Sequence, residues 1–245
     1  MRLKNILVLL LGTIAIYTDA QERVDFQTDD KVQVIADYYK TEKGDSSQWA
    51  IMFHQADYSR GEYKEMAARM MKMGFNCLAV DLRIGKEANF VINETATIAR
   101  ERGYPQVMLD CEKDMLAAIK WVRSVAPAAK INLVGSSFSG SLCLKIAAER
   151  NDINSVIVFS PGEFFEPKLS IKNTLTDLKT PVYVGCTRSE YEYAKNLLSQ
   201  AKPNKKVIFR PEKGEGLHGS KTLWWDSPTR NEYWLSLLFF LNNLK

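Results

Sequence analysis

Histidine is scarce in this chain. His54 and His218 are the only two among 245 residues, so any chemistry that needs an imidazole base must use one of them. The four cysteines, Cys77, Cys111, Cys143 and Cys186, have neither zinc-like nor CxxC spacing. That excludes a thiolate metal site and a dithiol redox centre. Three of them fall inside apolar strand or helix patterns, where a free buried thiol is the expected state. Dense Lys/Arg blocks are missing and the net charge is only +4, so no nucleic-acid partner is expected. Lys202, Lys205 and Lys206 read as a solvated face. Internal repeats, low-complexity stretches and a linker that would divide the chain are also missing. The N-terminal apolar run, Ile6 to Ile16, falls short of the roughly 20 residues of a membrane span.

That run has a different layout. Met1-Arg2-Leu3-Lys4 is basic, the apolar stretch follows, and Thr18-Asp19-Ala20 offers small residues before Gln21. This is the pattern of a secretory signal peptide over 1–20, with an uncleaved anchor as the runner-up. The expectation is an exported protein, periplasmic or extracellular, with one domain over 21–245 and no stable membrane insertion after cleavage. No cysteine lies near the cleavage point, so no lipid anchor is expected. The composition, 46% hydrophobic and 25% charged, is that of an ordinary globular domain.

Strand and helix patterns alternate along the rest. Strands are expected at Val32–Tyr39, Trp49–Phe53, Phe75–Val80, Ile131–Val134, Val156–Phe159, Val182–Val184 and Lys206–Arg210. Helices are expected at Gly61–Met73, Val107–Val125, Leu142–Arg150, Tyr191–Ala201 and Tyr233–Leu244. Lys43–Ser47 reads as a turn cluster and 81–104 as a long irregular loop. Several strands are continuous apolar runs, which argues for an α/β fold with a mostly parallel central sheet and helices on both faces.

The most informative stretch is Val134-Gly135-Ser136-Ser137-Phe138-Ser139-Gly140. An apolar strand meets a sharp turn and then a helix, with a serine at the apex. Such a turn sets a hydroxyl beside free helix N-terminal N–H groups, where an oxyanion can be held. Gly135 supplies the glycine two residues before Ser137. Ser136, Ser139 and Ser141 are rival serines, and Ser139 stands where a second glycine is usual. A serine nucleophile needs a base and a group that orients it. His218, in a glycine-rich loop after the last strand, is the only histidine downstream of Ser137. Glu190, following the Val182–Val184 strand, is the preferred acid by its place in the chain. Glu163 is the competing acid, and Glu192 lies close enough to substitute. The backbone N–H groups of Phe138 and Gln55 are the expected oxyanion donors, with His54 shaping the Gln55 loop.

With these pieces placed, the chain resembles the α/β-hydrolase superfamily and, within it, the dienelactone-hydrolase-like serine hydrolases, from about Val32 to the C-terminus. The matching pieces are Phe53-His54-Gln55-Ala56, Val80-Asp81-Leu82-Arg83, the Ser137 turn, the Pro181–Glu190 strand and turn, and Leu217-His218-Gly219. The departures are Ser139 for glycine and Glu190 where aspartate is commoner. Dienelactone hydrolases proper carry a cysteine nucleophile, so Ser137 argues against the same substrate. The resemblance implies hydrolysis of a small-molecule carboxylic ester through an acyl-enzyme, with no metal or organic cofactor. A peptidase or amidase on the same residues, or a binding protein that keeps the fold without chemistry, are the alternatives. Tyr58, Phe164, Trp224 and Trp225 are candidates to line a pocket. Asn93-Glu94-Thr95 is a glycosylation sequon in a host that modifies such sites.

Overall fold

The computed structural model describes residues 21–43 and 47–244. The expected export signal, and the part of the turn cluster at 44–46, lie outside the described residues. The chain forms an eight-stranded sheet. Its first half holds β1 (Gln21–Gln27), β2 (Gln33–Tyr39), β3 (Gln48–Phe53), α1 (Lys64–Lys72) and β4 (Asn76–Val80). A small hairpin, β5 (Glu87–Ala88) and β6 (Val91–Ile92), then leads into α2 (Glu94–Glu101), α3 (Cys111–Val125) and β7 (Lys130–Ser136). The second half holds α4 (Phe138–Glu149), β8 (Ile153–Phe159), α5 (Ile171–Thr174), β9 (Val182–Gly185), α6 (Tyr191–Leu197), β10 (Lys206–Phe209) and α7 (Arg230–Asn242).

The order across the main sheet is β1-β2-β4-β3-β7-β8-β9-β10. Every pairing from β4 to β10 is parallel, while β1–β2 and β2–β4 are antiparallel. The expected α/β architecture is therefore present. The reason lies in the strand residues, which alternate between two buried faces. Ile51, Phe53, Leu133, Val156, Val158 and Val184 pack with α3, α4 and α6. Met52, Ala79, Val134, Ile157 and Tyr183 pack on the other face, against α1 and α7.

Three elements differ from expectation. The polar strand β1 was not legible, because only Val24 and Phe26 of its seven residues are even half-buried. The segment 81–104 is no irregular loop. Asn89 and Phe90 turn the β5–β6 hairpin with φ of 48° and 62°, as a two-residue hairpin turn requires. Asn93 then caps α2 by accepting the Ala96 N–H at 2.8 Å. The inner face of α2 is Thr95, Ala96 and Ala99, too small to stand out as an apolar stripe. The helix expected from Gly61 opens as a 3₁₀ turn, Arg60–Tyr63. Its Met66 and Met70 are buried in the core, and Gly74 follows at φ +95° as its C-terminal stop.

Candidate active site

The carboxyl ends of β7, β8, β9 and β10, together with the loop after β3, converge on one point. In a parallel sheet this is the edge where strand-end loops assemble sites. Ser137 joins β7 to α4 with φ 57° and ψ −124°, a conformation that costs a non-glycine residue about 1–3 kcal/mol. Neighbouring atoms hold it there. The Ser137 N–H donates to the Phe159 carbonyl at 2.7 Å. A Cβ on Gly135 would lie 2.6 Å from the Gly140 Cα, so only glycine lets the strand and helix approach so closely. Ser139 is fully buried; its Oγ accepts the Ser136 N–H at 3.0 Å and reaches the Phe53 carbonyl at 2.7 Å. The serine in the place of a glycine thus ties the turn to the end of β3. Ser136 and Ser141 are also fully buried, the first accepting the Ser220 N–H and the second bonded to the Gly162 backbone.

His218 comes from the loop after β10. Its Nε2 lies 2.9 Å from the Ser137 Oγ and its Nδ1 2.6 Å from the Glu190 Oε1. Glu190 stands at the head of α6, after β9. Its second oxygen accepts the Ser160 hydroxyl at 2.7 Å and the Thr187 N–H at 3.0 Å. Burial opposes its charge, but the hydrogen bonds from His218, Ser160 and Thr187 outweigh that and bring its pKa down to about 2. The structure therefore brings Ser137, His218 and Glu190 together. Ser160 was missed by sequence reasoning. It sits at φ +51° after β8, bonds Glu190, and accepts the Gly219 N–H at 3.0 Å, so it joins Glu190 to the histidine loop. Its only signal in the sequence is the run Ser160-Pro161-Gly162, which marks a turn and nothing more.

Three expected roles are corrected. Glu163 does not take the His218 Nδ1, which bonds Glu190, because its carboxylate is spent on the N-terminus of α5. It accepts the Ile171 and Lys172 N–H groups at 2.6 and 2.8 Å and the Ser170 hydroxyl at 3.0 Å. Glu192 is exposed and pairs with Lys195. The Gln55 N–H, expected to face an oxyanion, instead donates to the Glu62 Oε2 at 2.8 Å. The Gln55 carbonyl is held as well, by the His54 Nδ1 at 2.8 Å and the Tyr58 N–H at 3.3 Å. Across a trans peptide the next N–H points the opposite way, so that of Ala56 is turned away from the buried His54 ring. Phe138 opens α4, and the N–H of a first helical residue has no acceptor within its helix.

His54 is fully buried. A carbonyl can only accept, so its Nδ1 carries the proton, and its Nε2 accepts the Leu82 N–H at 2.9 Å. Burial pushes its pKa down to about 4 from an ordinary 6.5. The unfolded chain then binds a proton near pH 6.5 that the folded chain refuses until about pH 4, so the contribution of His54 to stability is lost as pH falls through that window. We expect the stability difference between wild type and His54→Asn to shrink by about 3 kcal/mol from pH 7 to pH 4. Urea unfolding at the two pH values reads this, and an unchanged difference would mean that His54 titrates alike in both states. Asn93, read as a sequon, is buried and its amide nitrogen lies within hydrogen-bond reach of the Leu82 and Ile84 carbonyls at 3.1 and 3.0 Å. No glycosyltransferase can reach it in the folded chain.

Of the aromatic candidates, Tyr58 and Trp224 stack at 6.1 Å between centroids and are half-buried. Trp225 and Phe164 are exposed. None of the four belongs to the core.

Comparison with known proteins agrees with this architecture. No curated protein matches the chain by sequence. Among solved structures, the esterase Pf2001 of Pyrococcus furiosus superposes with a TM-score of 0.69 at 18% identity, covering 91% of each chain. A dienelactone hydrolase from Anabaena variabilis gives 0.66 at 16% identity, over 92% of this chain and 98% of the other. An alpha-beta serine hydrolase homologue from Coxiella burnetii gives 0.60 at 16% identity, over 91% and 97%. At such identities these likenesses speak for the fold. The model of the dienelactone hydrolase family matches residues 36–202, well over half of the sequence, running from β2 past both Ser137 and Glu190. By that match the chain belongs to the dienelactone hydrolase family.

Proposed function

We propose that this protein is an exported serine hydrolase of carboxylic esters, with Ser137 as nucleophile, His218 as base and Glu190 as the acid that orients it. The observation that carries the reading is the single imidazole bridging the two, 2.9 Å from the Ser137 Oγ and 2.6 Å from the Glu190 Oε1. A carboxylate on Nδ1 fixes the tautomer that leaves Nε2 free to accept a proton. Ser137 attacks the ester carbonyl as its proton passes to His218. The oxyanion that forms is held by the N–H groups of Phe138 and Ala56. His218 gives its proton to the departing alkoxide, leaving an acyl-enzyme on Ser137. The histidine then deprotonates water, which attacks the acyl carbon, and the carboxylic acid leaves as Ser137 recovers its proton. The basic start, apolar run and small residues of Met1–Ala20 support export, and the esterase and dienelactone hydrolase among the similar structures support ester chemistry.

A fluorophosphonate probe tests the nucleophile. It should label the wild-type protein once, on the peptide carrying Ser137. Absence of label, or label on another serine, overturns the reading. A panel of p-nitrophenyl esters of increasing chain length, run beside the matching anilides, tests the bond. Turnover of anilides without esters would move the protein to the amidases.

A further inference from the structure

Glu62 is a buried charge that the steps above do not use. It sits in the 3₁₀ turn after the oxyanion loop and is 1% exposed. Its Oε2 accepts the Gln55 N–H at 2.8 Å. Its Oε1 accepts the Ser220 hydroxyl at 2.6 Å and lies 3.3 Å from the Gln55 Nε2, and the Ser136 hydroxyl also helps to stabilise its charge. Among the described residues no cation pairs with it. Burying a carboxylate on neutral donors alone costs stability, and burial does push the Glu62 pKa up. The carboxyl group is thus kept at a cost in burial, offset only by neutral donors.

The positions it joins suggest its role. Gln55 precedes Ala56 in the oxyanion loop, Ser136 precedes Ser137, and Ser220 lies two residues after His218. The Ser220 N–H also donates to the Ser136 Oγ at 2.9 Å. The fit between these loops is close, since a Cβ on Gly219 would lie 2.5 Å from the Ser136 Oγ and 3.1 Å from the Gln55 amide. The Glu62 backbone carbonyl takes the Trp224 Nε1 at 2.9 Å, a further tie to the histidine loop.

We infer that Glu62 is a positioning residue, a carboxylate clamp behind the site that locks the oxyanion loop, the nucleophile turn and the histidine loop in register. The inference rests on the hydrolase reading above. A carboxylate suits this place because it is an acceptor at both oxygens. By drawing the Gln55 N–H inward it fixes the His54–Gln55 peptide that leads into Ala56, and by holding Ser220 it fixes the arc that presents His218. Glutamine cannot do both, because its NH₂ would face donors. The clamp touches no substrate, so its loss should weaken transition-state stabilisation more than binding.

The test is steady-state hydrolysis of p-nitrophenyl acetate by wild type, Glu62→Gln and Ser220→Ala, with thermal melts to confirm folding. We expect Glu62→Gln to lower kcat about 100-fold, as loss of one oxyanion donor does, with KM within about threefold of wild type. Ser220→Ala, which keeps the carboxylate and the Gln55 bond, should lower kcat about tenfold, again with KM nearly constant, and it carries the test if Glu62→Gln does not fold. A kcat within threefold of wild type in a folded variant, or a change confined to KM, overturns the inference and leaves the hydrolase reading standing. Absence of both turnover and fluorophosphonate labelling in wild type overturns both.

Discussion

Ser137→Ala will lower turnover of p-nitrophenyl acetate by a factor on the order of 10⁴ to 10⁶, as removal of a serine nucleophile does elsewhere, and Ser137→Gly will be equally inactive yet no easier to unfold than wild type. The first half follows from position, because no neighbouring hydroxyl can replace Oγ. Ser136, Ser139 and Ser141 are fully buried. The second half follows from the backbone. At φ 57° and ψ −124° a side chain costs about 1–3 kcal/mol, which glycine relieves. Against this, glycine adds roughly 0.5–1 kcal/mol of freedom to the unfolded chain. The balance lies between no change and a gain of about 2.5 kcal/mol. Urea unfolding decides it, and a clear loss of stability in Ser137→Gly would show that the turn is not strained. Residual turnover in Ser137→Ala well above background would place the nucleophile elsewhere.

Glu190→Gln should cost about 10⁴ in kcat, and the surroundings of the carboxylate say why. The Ser160 hydroxyl and the Thr187 N–H both donate to Oε2. A glutamine must turn its carbonyl toward these two donors, which leaves its NH₂ facing the His218 Nδ1. That nitrogen then becomes the acceptor, Nε2 carries the proton, and the histidine can no longer take one from Ser137. Glu163→Gln is the matched comparison. It should keep kcat within about threefold and lower stability by about 1 kcal/mol, the usual worth of a helix N-cap. Reversal of the two results would return the acid role to Glu163. The activity of wild type at low pH gives a further check. The pKa of Glu190 is depressed to about 2, so its support of the fold is full above its ordinary value of 4.5 and is lost progressively as pH falls from there through about 2. Activity lost around pH 4 to 5 therefore has a source other than protonation of Glu190.

Much of this site could be read from one sequence because its parts are marked by backbone demands. Gly135 before Ser137 announces a turn that only glycine permits. The apolar runs at 131–134 and 182–184 place Ser137 and Glu190 at strand ends. With one histidine downstream, the choice of His218 was forced. Side-chain roles inside loops were less legible. Glu163 and Glu190 both follow strands, and nothing local shows that one carboxylate turns to a helix end and the other to an imidazole. Gln55 was named for its N–H by position in the loop, but the acceptor of that N–H, Glu62, stands seven residues on in a turn whose fold is tertiary. Ser160 escaped for the same reason, since a serine before proline signals a turn and says nothing of the two loops it bridges. In the fold, β1 and α2 were missed because their buried faces are small or sparse, and helix and strand patterns show only where large apolar side chains repeat.

The sheet order has a consequence for inactivation. Ser137 hangs from β7, a central strand buried along nearly its whole length, whereas His218 follows β10, a four-residue strand that is only half-buried and paired on one side alone. Free energies of local opening scale with such burial and pairing, and edge segments part from the rest before the core does. The proposed nucleophile and base are thus anchored in regions of unequal firmness. Mild warming or denaturant should therefore loosen the proposed base first, with ester turnover falling before the far-UV circular dichroism of the sheet, and coincident loss of the two signals would show that the edge does not open ahead of the core.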